Sequence, residues 1–210
     1  KKKMILKGTL EHKLYQDLVQ KPMKDISSEY GVSPTVLLRK FLDEFIDIHK
    51  DSFTNNYLAK GFTYLGRRLN PYTWACISKK LPESGKSGYN ENSQLYITLG
   101  AGGITFGFGY GDGLTNDESE QVLVIKNNHD AINSIISTKN SIPDLRVYYQ
   151  GIPDESIKFD VDTIKQAWDS QIVVNRFIPT DTMPMNIQFE IIRTFEYLMP
   201  LFLASDENHI

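Results

Sequence analysis

The chain has 210 residues, of which 40% are hydrophobic and 23% are charged. This composition predicts a globular protein with one sizeable core or two small ones, and it excludes a disordered or fibrous chain. No apolar run approaches the roughly 20 residues that span a bilayer, and the run after Lys3 is too short for a secretory signal. The single cysteine, Cys76, excludes an internal disulfide and a cysteine-based zinc site. We therefore expect a cytoplasmic protein without a membrane partner.

The formal net charge of −3 combines two halves of opposite sign. Residues 1–90 hold 16 Lys and Arg against 9 Asp and Glu, whereas residues 91–210 hold 7 against 17. The negative net charge of the whole chain argues against a general binder of polyanions, but the basic first half is compatible with one basic face. Alternatively, these cations only solvate surface helices.

Helices are predicted first along the chain. Leucine and valine spacing predicts a short amphipathic helix over 10–19, and Pro22 follows its end. Ser33 as an N-cap and Pro34 at the first helical position predict a second helix that ends near His49. An apolar stripe along this helix indicates that one side is buried.

Residues 26–41 also resemble a helix-turn-helix, with Gly31 at the turn. The helix after the turn would then read DNA. Its first helix would be very short, however, and Asp43, Glu44 and Asp47 make the second helix acidic toward its end. We favour a supporting helix that packs on a sheet.

Strands are predicted in the middle of the chain. Tyr72–Ser78 is rich in β-forming residues, and Ser93–Leu99 and Gly103–Tyr110 flank a glycine-rich turn that is typical of a hairpin. The last of these strands alternates large apolar residues with glycine and threonine. One of its faces is therefore aromatic, and the other is nearly bare.

Further elements complete an α+β fold with a central, mostly antiparallel, curved β-sheet, flanked by N-terminal helices and a long C-terminal helix. Residues 1–50 are predicted to be a helical segment, separate or part of the same domain, 51–205 the recognition domain and 206–210 an exit linker. The further elements are helices over 117–125 and 130–137, a strand over 145–150, a short helix ending at Trp168, a strand over 171–178 and a helix over 186–203.

No motif makes a positive case for catalysis. The run Ser84–Ser87 ends like a phosphate-binding loop, but Lys80 stands where that motif needs glycine. The four histidines lack metal-ligand spacing, and Cys76 lies in a β-rich run that predicts a buried structural thiol. Acidic residues near helix starts are typical of capping, so no metal or cofactor is expected. An unrecognised nuclease would need a carboxylate cluster for a metal.

Recognition is the function that the residues favour. Residues 67–96 interleave cations, which neutralise phosphates, with aromatic side chains, which stack on bases. Aromatic residues in strands often belong to a core, and Tyr96, Phe106 and Phe108 are assigned there. The predicted contacts to the DNA backbone are Arg67, Arg68, Lys79, Lys80 and Lys86, and the predicted base contacts are Tyr72, Trp74 and Tyr89.

Three segments resemble the N-terminal modules that precede the AAA+ GTPase of McrB-type modification-dependent restriction proteins. They are Tyr72–Ser78, the two strands within 93–111, and Phe195–Leu203. The resemblance implies a non-catalytic domain that binds double-stranded DNA with a methylated or otherwise modified base, by flipping that base into an aromatic pocket. It also implies an AAA+ motor in the same longer chain and a separate nuclease subunit.

A second interpretation is a protein-interaction or small-ligand sensor domain that does not bind DNA. Its pocket would be formed by the aromatic strand faces and the bare face of residues 105–109, and the acidic second half would contact a partner. DNA retention that falls steeply with salt distinguishes the two interpretations.

Overall fold

The described part of the chain forms one antiparallel sheet with helices before and after it, which confirms the predicted α+β fold. The computed structural model describes residues 28–29, 31, 33–64, 72–90, 92–100, 102–110, 134, 137–149, 152–153 and 172–204. The predicted helix over 10–19, the one over 117–125 and the one ending at Trp168 lie outside these residues, as does most of 130–137. None of the described helices is long and apolar enough to cross a membrane.

The helices described in full are α1 (Pro34–Ile48), the short α2 (Lys50–Phe53) and α3 (Ile187–Ala204). The described strands are β1 (Tyr57–Tyr64), β2 (Tyr72–Lys79), β3 (Ser93–Leu99), β4 (Gly103–Tyr110), β5 (Arg146–Tyr149), β6 (Ile152–Pro153) and β7 (Ile172–Pro179). These seven strands pair in the order β1-β2-β3-β4-β7-β5-β6, and every pair is antiparallel.

Helix α1 begins where the sequence predicts it. The Val36 amide donates a hydrogen bond to the Ser33 hydroxyl over 3.4 Å, and Pro34 occupies the first turn, where its missing N–H costs nothing. The buried residues Leu38, Phe41 and Phe45 recur at helical spacing and pack on β1 and β2. This contact makes α1 a supporting helix on the sheet and part of its core.

Strand β1 is absent from the sequence predictions, because Tyr57–Tyr64 combines weak alternation with an internal glycine. That glycine, Gly61, lets α1 approach the sheet. A Cβ there would lie 2.9 Å from the Thr35 methyl carbon and 3.3 Å from the Trp74 carbonyl oxygen. Pairing with β2 along its whole length makes this segment a strand despite its composition.

The two faces of the sheet differ because side chains alternate along each strand. On β4, Ile104, Phe106 and Phe108 are fully or almost fully buried beneath the helices, as the alternation predicted. Helix α3 covers β3 and β4, and its Phe195 meets Phe45 of α1 edge to face, with 5.5 Å between ring centroids. The opposite face carries the other half of every strand, and no described helix packs on it.

Strands β4 and β7 approach so closely at Gly107 that this position must be glycine. Gly107 pairs with Asn175, and a Cβ at Gly107 would overlap the Val174 carbonyl oxygen and lie 2.6 Å from the Asn175 Cα. These obstacles are backbone atoms, which cannot rotate away as a side chain can.

A buried ion pair joins the sheet to α3. Arg176 of β7 is 4% exposed, and its Nη1 donates to Glu190 Oε2 over 2.7 Å and to the Thr194 hydroxyl over 3.1 Å. The guanidinium carbon also lies 5.5 Å from the centroid of the Phe106 ring. An arginine in this position needs its carboxylate, because an unpaired buried charge is strongly unfavourable.

We expect Gly107→Ala to lower the free energy of unfolding by about 1–3 kcal/mol, because the β7 backbone must shift to admit a methyl group. Urea unfolding followed by far-UV circular dichroism measures the change. Gly102→Ala is the matched control, since a Cβ there meets nothing within 4 Å. Equal stability of the two variants would contradict the close approach of β4 and β7.

We expect Glu190→Ala to cost about 3 kcal/mol of unfolding free energy, because it leaves the Arg176 charge buried without its carboxylate. Glu196→Ala should cost less than about 1 kcal/mol, since Glu196 is 51% exposed beside His49. The double variant Arg176→Met/Glu190→Leu should recover most of the loss, because it removes both charges. A double variant as unstable as Glu190→Ala would contradict this account.

Candidate nucleic-acid interface

Three aromatic rings contact one another on the sheet face away from the helices. Phe62 of β1 and Trp74 of β2 are paired in register, and their rings stack with 5.6 Å between centroids and 16° between planes. Tyr89, from the loop that joins β2 to β3, lies 5.1 Å from Phe62 and 5.6 Å from Trp74, at 60° to both. We call Phe62, Trp74 and Tyr89 the aromatic cluster.

The β2–β3 loop folds back over this face through specific hydrogen bonds. The Gly88 amide donates to the Lys79 carbonyl oxygen over 2.9 Å, and the hydroxyls of Ser78 and Ser87 are 2.7 Å apart. Residues 82–86 at the tip are exposed, whereas Gly88 is buried and Tyr89 is half-buried against the sheet. Because the loop joins two strands and not a strand to a helix, its run Ser84–Ser87 is not a phosphate-binding loop.

The aromatic cluster is open to solvent at the sheet edge. Phe62 is 38% exposed, and Trp74 and Tyr89 are half-buried. A base sandwiched between two rings needs about 7 Å between them, twice the contact distance of carbon atoms. The rings of the cluster are closer than that, so a planar ligand cannot enter between them in this conformation.

One lysine is in direct contact with the aromatic cluster, and two more belong to the loop that carries Tyr89. The Lys60 ammonium lies 5.0 Å from the centroid of the Phe62 ring, in cation–π contact. Lys80 donates to the Asn55 carbonyl oxygen over 2.6 Å, and Lys86 is exposed at the tip of the loop. Lys79 pairs with the core residue Tyr57, so its register position is on the helix-bearing face. Lys79 and Lys60 therefore belong to opposite faces.

The structure brings together part of the site that the sequence predicted. Trp74 and Tyr89, far apart along the chain, are in ring contact. Tyr72 pairs with Tyr64 at the end of β2, and no more is described of its side chain, while Arg67 and Arg68 lie outside the described residues. The sequence predictions omitted Phe62 and Lys60, because the strand that carries them was not recognised. The spacing Lys60-x-Phe62, typical of one strand face, was the available signal.

The bare glycines of β4 do not leave a pocket on this face. The β7 backbone occupies the space above Gly107, and the Phe177 ring occupies the space above Gly103. The Tyr96 ring lies 3.2 Å from where a Cβ of Gly109 would be, and its hydroxyl accepts a hydrogen bond from the Asn175 amide over 2.8 Å. Tyr96, predicted in the core, is thus half-buried over the glycines, whereas Phe106 and Phe108 are fully buried as predicted.

The structure gives Cys76 the surroundings of an unreactive thiol. Its side chain is fully buried on the face of the aromatic cluster, and burial raises the pKa of the thiol far above its usual value. A hydrogen bond with Ser78 and the charge of Lys60 offset only part of that rise. Within the described ranges, no group of three His, Cys, Asp or Glu residues is arranged to hold a metal ion.

We expect the Cys76 thiol to react with a disulfide reagent more than about 100-fold slower in the folded protein than in urea. Burial excludes the reagent, and the raised pKa removes the reactive thiolate at pH 8. The absorbance of released thionitrobenzoate follows the reaction. A native rate equal to that of the unfolded chain would show that this face of the sheet is open at Cys76.

No protein-family model matches this chain, and a comparison with curated proteins also found no match. Its function is therefore argued from the geometry of the aromatic cluster and its lysines.

Proposed function

We propose that this chain is a non-catalytic DNA-binding module in which Phe62 and Trp74 of the aromatic cluster contact a nucleobase and lysines contact phosphates. The observation that carries the proposal is the aromatic cluster itself, with Phe62 partly exposed at the sheet edge and Lys60 against its ring. Stacked aromatic rings beside cations are the two components with which proteins hold an unpaired base and its backbone.

The chemistry of stacking favours a base that has left the duplex. Inside a duplex both faces of a base are covered by its neighbours, so an aromatic side chain reaches a face only when the base is unstacked or flipped. Stacking on a protein ring then contributes about 1–3 kcal/mol per base and offsets part of the cost of unstacking. Phe62, with Trp74 stacked beside it, presents a partly exposed aromatic ring next to the Lys60 ammonium.

The finer part of the proposal comes from the resemblance to McrB-type restriction proteins. The base would be methylated or otherwise modified, and the module would act in the cytoplasm beside an AAA+ motor of the same longer chain and a nuclease subunit. A methyl group on the base adds apolar area, which stacking against Phe62 and Trp74 would remove from water.

We expect the purified chain to bind one modified duplex more tightly than the matched plain duplex. Fluorescence anisotropy would compare plain, N6-methyladenine, 5-methylcytosine and 5-hydroxymethylcytosine duplexes at two salt concentrations. Affinity for all four should fall with salt, because phosphate contacts release counterions. Equal affinity for all duplexes would contradict recognition of a modified base. No binding at the lower salt concentration would contradict the whole proposal and favour the protein-interaction alternative.

We expect substitutions in the aromatic cluster and substitutions of the lysines to change DNA binding in different ways. Phe62→Ala and Trp74→Ala should each weaken the binding free energy for the modified duplex by about 1–3 kcal/mol. They should mainly remove the preference for that duplex over the plain one. Lys60→Gln and Lys86→Gln should weaken binding to every duplex and each reduce the salt slope by about 1. Phe189→Ala is the control, because Phe189 is 58% exposed on α3, on the other side of the sheet. Equal losses for plain and modified DNA at both rings would contradict flipping of a modified base onto them.

A further inference from the structure

Tyr89 occupies the position that a stacked base would need. Its ring contacts both Phe62 and Trp74, whose planes are nearly parallel, and the three centroids are separated by 5.1–5.6 Å. A base that contacts both Phe62 and Trp74 from this side would therefore overlap the Tyr89 ring. The base and the Tyr89 ring therefore cannot occupy this position at the same time.

The backbone around Tyr89 is held in place on both sides. The Gly88 amide donates a hydrogen bond to the Lys79 carbonyl oxygen. The Asn92 side-chain amide donates a hydrogen bond to the Gly88 carbonyl oxygen over 2.9 Å. The Tyr89 carbonyl oxygen accepts a hydrogen bond from the Gln94 side-chain amide. These anchors fix the loop over the sheet, so the ring leaves the aromatic cluster most easily by rotation of its own side-chain torsions.

Few described contacts hold the ring itself. Its edge-to-face contacts with Phe62 and Trp74 are of the kind worth a modest free energy each, and its hydroxyl has no hydrogen-bond partner among the described residues. The side chain is half-buried, so part of the ring is in contact with solvent. The Tyr89 ring can therefore leave the aromatic cluster while the loop backbone stays in place.

We propose that Tyr89 is an intramolecular competitor for the base-binding surface of Phe62 and Trp74, and that a nucleobase binds by displacing its ring. This inference rests on the proposed function and assigns Tyr89 a role opposite to the base contact predicted from the sequence. Because the surface is competent only while the ring is displaced, the apparent affinity is the intrinsic affinity multiplied by the displaced fraction.

The test compares the dissociation constants of DNA for the wild type and for Tyr89→Ala, Tyr89→Leu and Tyr89→Phe. The probe is a fluorescein-labelled duplex with one 5-methylcytosine, beside its plain counterpart and a single-stranded oligonucleotide of the same sequence. Removal of the ring in Tyr89→Ala and Tyr89→Leu should tighten binding roughly 5- to 100-fold, the range expected when two aromatic contacts no longer compete. Tyr89→Phe keeps the ring and should change the constant by less than about twofold.

Matched variants separate failure of this inference from failure of the proposed function. Phe62→Ala and Trp74→Ala should weaken binding of the same probes. If Tyr89→Ala weakens binding as they do, Tyr89 is itself a base contact, and the competitor role is overturned while the DNA-binding function stands. If neither the wild type nor any variant binds a probe at low salt, both are overturned.

Folding of the Tyr89 variants is checked independently of DNA. Protection of the Cys76 thiol should match that of the wild type, because the loop anchors use backbone atoms and other side chains. The urea midpoint of Tyr89→Ala and Tyr89→Leu should fall only by the loss of the two ring contacts. Binding that tightens with the fold intact supports displacement. Tighter binding by Tyr89→Ala together with a lost Cys76 protection would instead indicate a rearranged sheet face and overturn the inference.

Discussion

The burial of one face of a single sheet beneath two helices is the constraint on which the rest of this structure depends. Phe106 and Phe108 of β4 and Phe195 of α3 fill that interface with large apolar side chains. Because side chains alternate along a strand, a slip of one residue would move this whole set into the other face. The core therefore determines the register of each strand, and with it the residues that Phe62 and Trp74 meet on the opposite face.

Polar contacts refine an arrangement that apolar packing establishes. The pair of Arg176 and Glu190 crosses from β7 to α3 inside the core, where a charge tolerates few positions of its partner. Gly107 acts from the other side of the sheet, since its missing side chain lets the β7 backbone approach β4. Together they specify where β7 lies and how α3 is oriented above it.

The aromatic cluster differs from the core in how much aromatic surface it leaves exposed to solvent. Core rings such as Phe45 and Phe195 are fully buried and in contact with other apolar residues, so they have no surface left for a ligand. Phe62 keeps more than a third of its surface exposed, with Lys60 beside it. Planar apolar surface next to a cation at a sheet edge suits a planar, negatively charged ligand, and a nucleotide within a nucleic acid has that chemistry.

The sequence by itself determined the elements whose signals are local. Ser33–Pro34 marked the start of α1, the alternation of β4 separated its buried and bare faces, and the apolar run over 186–203 predicted the long C-terminal helix. Each signal depends on neighbours within a few residues, so a single chain carries it in full. The sequence also placed Trp74 and Tyr89 among candidate contacts, through their proximity to lysines.

Only the tertiary structure decided which of those candidates share a surface. β1 became a strand because β2 pairs with it, and that pairing brought Phe62 to Trp74. The loop anchors brought Tyr89 onto both rings, and register placed Lys79 on the opposite face from Lys60. Contacts between residues far apart along the chain depend on strand pairing and loop closure, and neither composition nor periodicity encodes them.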